Sequence, residues 1–262
     1  MECIPQELVD KFIDEFKDDP LLLSVCSRIS RRWVDRSRRH LFRKIRFPAL
    51  SMFAWYCNLF PADHSVHSYV REVVIAQQNQ RPWVNMEIIR RGSEQFNAFR
   101  ALETLALFGI QSGSTRDPDA IRVLSVAFKT AATSVKNLEL ANWKVSSTTL
   151  VDFICMFPSL DNLNIEEMQY LIGLPGWKPP PTLPSFAGHF QFKHRDGHGP
   201  VEKFLRLLSR LPLSFCEIHV NVDFSDSPDP IIPVLEKCSS TLVRAGLSYD
   251  CQRGITLASL IR

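Results

Sequence analysis

From residue 70 onward the chain repeats one short pattern, an apolar residue at positions one, four and six of a brief segment. The pattern occurs seven times: Val70, Val73, Ile75; Leu102, Leu105, Leu107; Val135, Leu138, Leu140; Leu160, Leu163, Ile165; Ala187, Phe190, Phe192; Phe215, Ile218, Val220; and Leu242, Ala245, Leu247. Successive central residues lie 32, 33, 25, 27, 28 and 27 positions apart, a near-fixed period that unrelated strands would not keep. A strand and a helix in each period cannot bury an apolar face alone, whereas stacked neighbours make one continuous core. The expected class is therefore α/β, with parallel strands alternating with helices.

The gaps carry helix signals. Asp117-Pro118 precedes Ile121, Leu124, Val126 and Phe128, and Asp229-Pro230 precedes Ile232, Leu235 and Cys238, each a capping side chain followed by a first-turn proline. Residues 147 to 157 and 200 to 211 are also helical in period. In the fourth gap Pro175, Pro179, Pro180, Pro181 and Pro184 forbid a continuous helix, so a long loop is expected, with Pro181-x-x-Pro184 an ordinary part of it. Ahead of the repeats, Leu8, Val9, Phe12, Ile13 and Phe16 fall at helical spacing. After Asp19-Pro20, the residues Leu22, Val25, Cys26, Ile29 and Trp33 form one amphipathic stripe. Two or three short helices are expected between residues 5 and 43.

Charge separates this N-terminal part from the rest. Residues 1 to 50 hold eleven Lys/Arg against eight Asp/Glu, leaving twenty against twenty elsewhere, so the whole formal +3 sits in the first fifth of the chain. No basic start leads into an apolar run, and the most apolar stretch, 47 to 60, is shorter than a membrane span. Neither a secretory leader nor membrane insertion is expected. Seven scattered cysteines without a C-x-x-C pair fit buried thiols in a reducing compartment, cytoplasmic or nuclear, rather than a disulfide or zinc framework.

The string Ile4-Pro5-Gln6-Glu7-Leu8, then Ile13 and Phe16, Asp19-Pro20, Leu22-Leu23, Val25-Cys26, Ile29-Ser30-Arg31-Arg32-Trp33, and Leu41-Phe42 with Ile45, resembles an F-box. It is most similar to the F-boxes that open the large fungal families of basidiomycete type. Those continue through a short strand, a helix and a Tyr-Val-Arg lead-in, here Tyr69-Val70-Arg71, into leucine-rich-repeat-like units. The repeats lack that consensus's Asn or Cys ladder: Trp143 stands at its place and Asn142 one position earlier. The resemblance implies an F-box over 1–47, a connecting helix and loop over 48–69, and an irregular leucine-rich-repeat-like solenoid over 70–262. The apolar residues of 255–261 would leave that solenoid ending on an open unit.

The implied activity is that of a non-catalytic substrate receptor in a cullin-RING ubiquitin ligase of SCF type. Pro5, Leu8, Ile13, Leu22, Leu23 and Trp33 would bind the adaptor subunit, and through it a cullin, while the repeats hold a protein substrate. Strand alternation sends positions three and five to the face opposite the core. The expected substrate face thus comprises Asn137, Glu139, Asn162, Asn164, His189, Gln191, Glu217 and His219, in line with Glu72, Thr104 and Arg244, and with Trp143, Trp177 and Tyr249 as aromatic anchors on loops. The alternatives are a repeat-based interaction module acting outside a ligase and an enzyme whose constellation is not evident.

Other constellations are weaker. Arg28 to Arg46 holds nine Lys/Arg and one acid, Asp35, but its arginines avoid the apolar stripe and aromatics are sparse. A solvated face, or one meeting an acidic partner, is therefore expected rather than nucleic acid. His64 with His67, and His194 with Asp196 and His198, lack a third ligand at metal-site spacing and read as exposed loop histidines. No G-x-S-x-G elbow, phosphate-binding Gly loop or H-E-x-x-H is present, so no enzyme chemistry and no cofactor are expected.

Overall fold

The computed structural model describes residues 4–76, 86–109, 118–171, 186–194, 201–222 and 231–249. Three helices open the chain: α1 (Gln6–Glu15), α2 (Pro20–Ile29) and α3 (Arg31–Leu41). The Asp19 carboxylate accepts a hydrogen bond from the Leu22 amide at 3.0 Å and Pro20 occupies the first turn, so α2 starts where the Asp-Pro pair places it. The stripe from Leu22 to Trp33 does not run along one helix. Ser30 takes an extended backbone (φ −157°, ψ 161°), ends α2, begins α3, and turns Trp33 toward α1. Val9, Ile13 and Leu23 form a small core with Trp33 and Leu41 packed on it. Asp14 ties α1 to α3 by accepting both the Arg36 guanidinium (2.5 and 2.6 Å) and His40 Nε2 (2.7 Å). The Arg36 hydrogen bond, more than any other contact, holds the Asp14 carboxyl down at about 2.

Next come β1 (Lys44–Phe47), α4 (Leu50–Leu59) and a 3-10 turn over Ser65–Tyr69. The alternating part follows: β2 (Glu72–Ala76), α5 (Met86–Arg91), α6 (Ser93–Ala98), β3 (Thr104–Phe108), α7 (Pro118–Phe128), β4 (Asn137–Ala141), β5 (Lys144–Ser146), α8 (Ser147–Ile154), β6 (Asn162–Glu166), β7 (Gln169–Leu171), β8 (Phe186–His194), α9 (Val201–Leu208), β9 (Leu213–Val222), α10 (Ile232–Cys238) and β10 (Arg244–Tyr249). Eight strands form one sheet in the order β1-β2-β3-β4-β6-β8-β9-β10, every pairing parallel, and β5 pairs with β7 beside it. All seven apolar triplets thus mark neighbouring strands, and β1 adds one strand ahead of them. No described helix is long and apolar enough to cross a membrane.

Apart from Ala187, positions one, four and six of the triplets are buried from β2 to β9, where the helices cover one face of the sheet and pack on each other in chain order, α7 on α8, α8 on α9, α9 on α10. One core runs from Phe47 to Cys238, with Phe53, Phe96, Phe128, Phe153 and Phe157 joining successive layers by ring contacts. Ala245 and Leu247 on the edge strand β10, and Leu242 just before it, are only half-buried. The fifth triplet is also altered. β8 alternates without a break, burying Phe186, Phe190 and Phe192, so that Ala187 at position one of this triplet is exposed; Gly188 (φ +84°) lies at the register shift with β9, where Cys216 is the extra residue. A Cβ at Gly188 would stand 2.0 Å from the Asp161 carbonyl oxygen, so only glycine fits.

Strand exits repeat as well. Gly109 (φ 77°), Asn142 (φ 56°) and Glu167 (φ 51°) each follow a strand in left-handed backbone, and their amides donate to the next strand's Ala141, Glu166 and Lys193 carbonyls. After Asn142 the chain buries Trp143 completely, and its Nε1 donates to the Leu107 carbonyl at 2.9 Å. Trp143 is consequently a core residue, not a loop anchor. Its indole joins this turn to the strand before it through the Leu107 carbonyl.

Candidate functional site

The face of the sheet opposite the helices carries the polar residues in register. One row reads Lys44, Glu72, Thr104, Asn137, Asn162, His189, Glu217, Arg244 across the eight strands. Its members bond sideways: Lys44 to Glu72 (2.5 Å), Asn137 Nδ2 to Thr104 Oγ1 (3.0 Å), Asn162 Nδ2 to Asn137 Oδ1 (2.5 Å), His189 Nδ1 to Glu217 Oε2 (2.9 Å), and Arg244 to Glu217 (3.5 Å). The second row contains Glu139, Asn164, Gln191 and His219, and the third pairs Glu166 with Lys193 at 2.5 Å. All eight residues expected on the substrate face therefore share one surface. His189, Gln191 and His219 are exposed; Asn137, Glu139, Asn162, Asn164 and Glu217 are half-buried among their neighbours.

This face is not uniform. Near β2 and β3 it carries Val74, Ala76 and Ala106 with Phe108, an apolar corner, whereas toward β8, β9 and β10 it hollows into a groove of about 530 Å³. Gln191, Lys193, His219, Asn221 and Ser248 line that groove, and Gly246 lies under the His219 ring: a Cβ there would meet Nδ1 at 2.6 Å. Amide, imidazole, hydroxyl and ammonium groups side by side can hydrogen-bond an extended polypeptide, both its main chain and its polar side chains. Lys193, Asn221 and Ser248 escaped the sequence reading because they stand at position seven, beyond the apolar triplet. Trp177 lies outside the described residues, as does the proline-rich stretch, and Tyr249 ends β10 rather than lying in a loop.

The residues expected to bind an adaptor divide differently. Ile13 and Leu23 are 0% and 1% exposed and belong to the small helical core, so they hold the helices together instead of meeting a partner. Pro5 and Leu8 are exposed; Leu22 and Trp33 are half-buried, Trp33 edge-on to Phe12. The apolar side chains that do reach the surface are Ile4 (59%), Leu8 (55%), Phe12 (48%), Leu21 (82%), Val25 (46%) and Ile29 (57%), all on or just before α1 and α2. The resemblance implied Leu22 and Leu23 and not Leu21, because the direction in which α2 faces depends on how α1 and α3 pack against it.

Histidine and cysteine placement bears on chemistry. His67 is buried, not exposed, within 3.1 Å of Tyr56 Oη and 2.9 Å of the Pro61 carbonyl; burial pulls its pKa down. His194 is buried at the end of β8, also against expectation, while His64 caps the 3-10 turn through the Val66 amide. The five described cysteines are free thiols, and burial pushes Cys57 up to about 11 and Cys155 up to about 12, away from nucleophilic reactivity. Among the described residues no group of three or more His, Cys, Asp and Glu could hold a metal ion. No family model matches the chain, and no curated protein matches it.

Proposed function

We propose that this chain is the substrate receptor of an SCF-type cullin-RING ubiquitin ligase: an F-box protein whose α1–α3 cluster docks on the adaptor and whose strands and helices form a leucine-rich-repeat-like, irregular solenoid that holds the substrate. The observation that carries this reading is the apolar face of α1 and α2. Six large apolar side chains stand exposed on a cluster whose own core is small, Val9, Ile13 and Leu23 with Trp33 and Leu41 packed on it, in the segment that resembles an F-box. Several large apolar side chains left exposed on so small a unit point to a protein partner.

The polar face supports the second half of the reading. Rows of amides, carboxylates and imidazoles stacked about 4.8 Å apart suit hydrogen bonding to a polypeptide, with the apolar corner at β2 and β3 adding area. The receptor makes and breaks no bond; it raises the concentration of the substrate beside an enzyme borne by another subunit. The test is co-expression of the full chain with the adaptor and cullin, followed by size-exclusion chromatography. A stable three-component complex is the expected result. Binding to the adaptor without recruitment of the cullin would favour an interaction module outside a ligase, and no adaptor binding by the folded chain would overturn the reading.

A further inference from the structure

Where α3, the 3-10 turn and the entry to β2 meet, a recess of about 430 Å³ is lined by Arg36, Arg39, His40, Arg43, Ser68, Tyr69, Arg71 and Glu103. Two backbone bonds fix its floor, the Arg71 and Glu72 amides donating to the Arg43 carbonyl at 2.8 and 2.9 Å. Helical spacing brings Arg36, Arg39 and His40 to one side, and Arg38 lies close enough to act electrostatically on the Tyr69 hydroxyl. The basic run of residues 28 to 46, which neither the apolar face nor the polar sheet face uses, is thus folded into a concave surface.

The counter-charges do not neutralise it. Asp14 holds Arg36 in a fork at 2.5 and 2.6 Å, and that guanidinium is committed to joining α1 and α3. Asp35 accepts from Tyr69 Oη at 2.8 Å and pairs with Arg39, both side chains more than half exposed, a surface pair that yields readily to a competing ligand. Glu103 reaches Arg71 only at 3.6 Å. Arg43 forms no ion pair or side-chain hydrogen bond among the described residues. Among the described residues, four arginines and His40 line the recess against the single carboxylate Glu103. Arg43 is uncommitted, Arg39 is held only by its exposed pair with Asp35, and Arg71 is positioned by Nη1 donating to the Ser68 and Val70 carbonyls at 2.8 and 3.2 Å, which leaves its Nη2 for a ligand.

We propose that this recess binds a phosphomonoester dianion. Planar guanidinium forks match the oxygens of a tetrahedral phosphate in pairs, and three forks converging from separate elements favour a compact dianion over a monoanion. A nucleic-acid strand would instead need an extended basic track with exposed rings on which bases stack. Here, among the described residues, Tyr69 is the one Phe, Tyr or Trp ring lining the recess, and it is half-buried with its hydroxyl tied to Asp35, while His40 is held by Asp14. The dianion can arrive as free inorganic phosphate or as the phosphate ester of a protein side chain.

The experiment titrates the full chain, at constant ionic strength, with inorganic phosphate, with a short phosphoserine peptide and with its unphosphorylated form, following the backbone and arginine side-chain NMR signals. Saturable shifts confined to Arg39, Arg43, Arg71 and Tyr69 are expected. Arg43→Gln, which disturbs no internal contact, should weaken binding about tenfold. Glu103→Gln, which removes a competing carboxylate, should tighten it. Tighter binding of the phosphopeptide than of phosphate assigns the ester as the ligand, and equal binding assigns the free ion. No saturable shift, or affinity unchanged by both substitutions, overturns the proposal, and neither result bears on whether the adaptor binds.

Discussion

Replacing Leu8 and Leu21 together with aspartate should abolish adaptor binding and leave the fold intact. The two side chains are 55% and 82% exposed, so they contribute little to the folded chain, and surface substitutions of this kind shift stability by about 0.5 kcal/mol or less. At an interface the same fractions count in full. A wholly buried leucine is worth about 1.5–3 kcal/mol, so the exposed parts should contribute about 1 and about 2 kcal/mol. Setting carboxylates against the apolar partner surface adds a desolvation penalty of at least about 2 kcal/mol. The total of about 5 kcal/mol corresponds to binding weakened more than about a thousandfold. The contrasting change is Ile13→Ala, which opens the small helical core at a site with no exposure and should cost about 3 kcal/mol of stability without touching the docking surface. Biolayer interferometry against immobilised adaptor, with thermal melts of each variant, measures both quantities. If the double variant melts as the parent does and still binds with the parental affinity, the apolar face of α1 and α2 is not the docking site.

Four other outcomes are expected. Changing Asn137, Asn162, His189 and His219 together to alanine should remove capture of an identified substrate while adaptor binding, read in the same pull-down, persists; loss of both would place the substrate elsewhere or indicate unfolding. Trp143→Phe leaves the Leu107 carbonyl without its indole donor and opens space in a fully buried site, so the urea midpoint should fall by the equivalent of about 2–4 kcal/mol with the slope unchanged. Gly188→Ala should disrupt the pairing of β6 with β8, because the backbone there is left-handed and the Asp161 carbonyl occupies the Cβ position; amide exchange across Asn162–Glu166 reports it. Asp14 has a folded pKa near 2, below its unfolded value, so its contribution is fully present above pH about 4 and is lost as pH falls toward 2. Asp14→Asn should lower stability at neutral pH and flatten that acid limb in pH-dependent melts.

The period of the apolar triplets was enough to read the strands, their parallel order and the polar face, because the side-chain alternation of a strand is a local property and a core that must be continuous leaves little choice of register. Asn137, Asn162, His189 and Glu217 could be aligned from numbering alone for that reason. Local chemistry also placed the starts of α2 and α7, where an Asp-Pro pair meets an apolar run.

Several features depended on contacts between distant segments. Ile13 and Leu23 turn inward, and Leu21 outward, only because α1, α2 and α3 pack together, and a helix does not encode which of its apolar residues a neighbour will cover. Trp143 is buried because its indole finds the Leu107 carbonyl one repeat away, which nothing in its own segment announces. Phe186 replaces Ala187 in the core because β8 begins early enough to include position one, where alternation sets Phe186 on the face of Phe190 and Phe192; the approach of Gly188 to the Asp161 carbonyl is visible only across strands. The basic recess arises in the same way: Arg36, Arg39 and Arg43 share a stretch of chain, but Arg71 and Glu103 reach them solely through the pairing of β1, β2 and β3. Sequence therefore determined the period, the strand faces and the segregation of charge, all of which follow from neighbours along the chain. Tertiary structure decided which apolar residues remain exposed and which charges converge, since both depend on what packs against them.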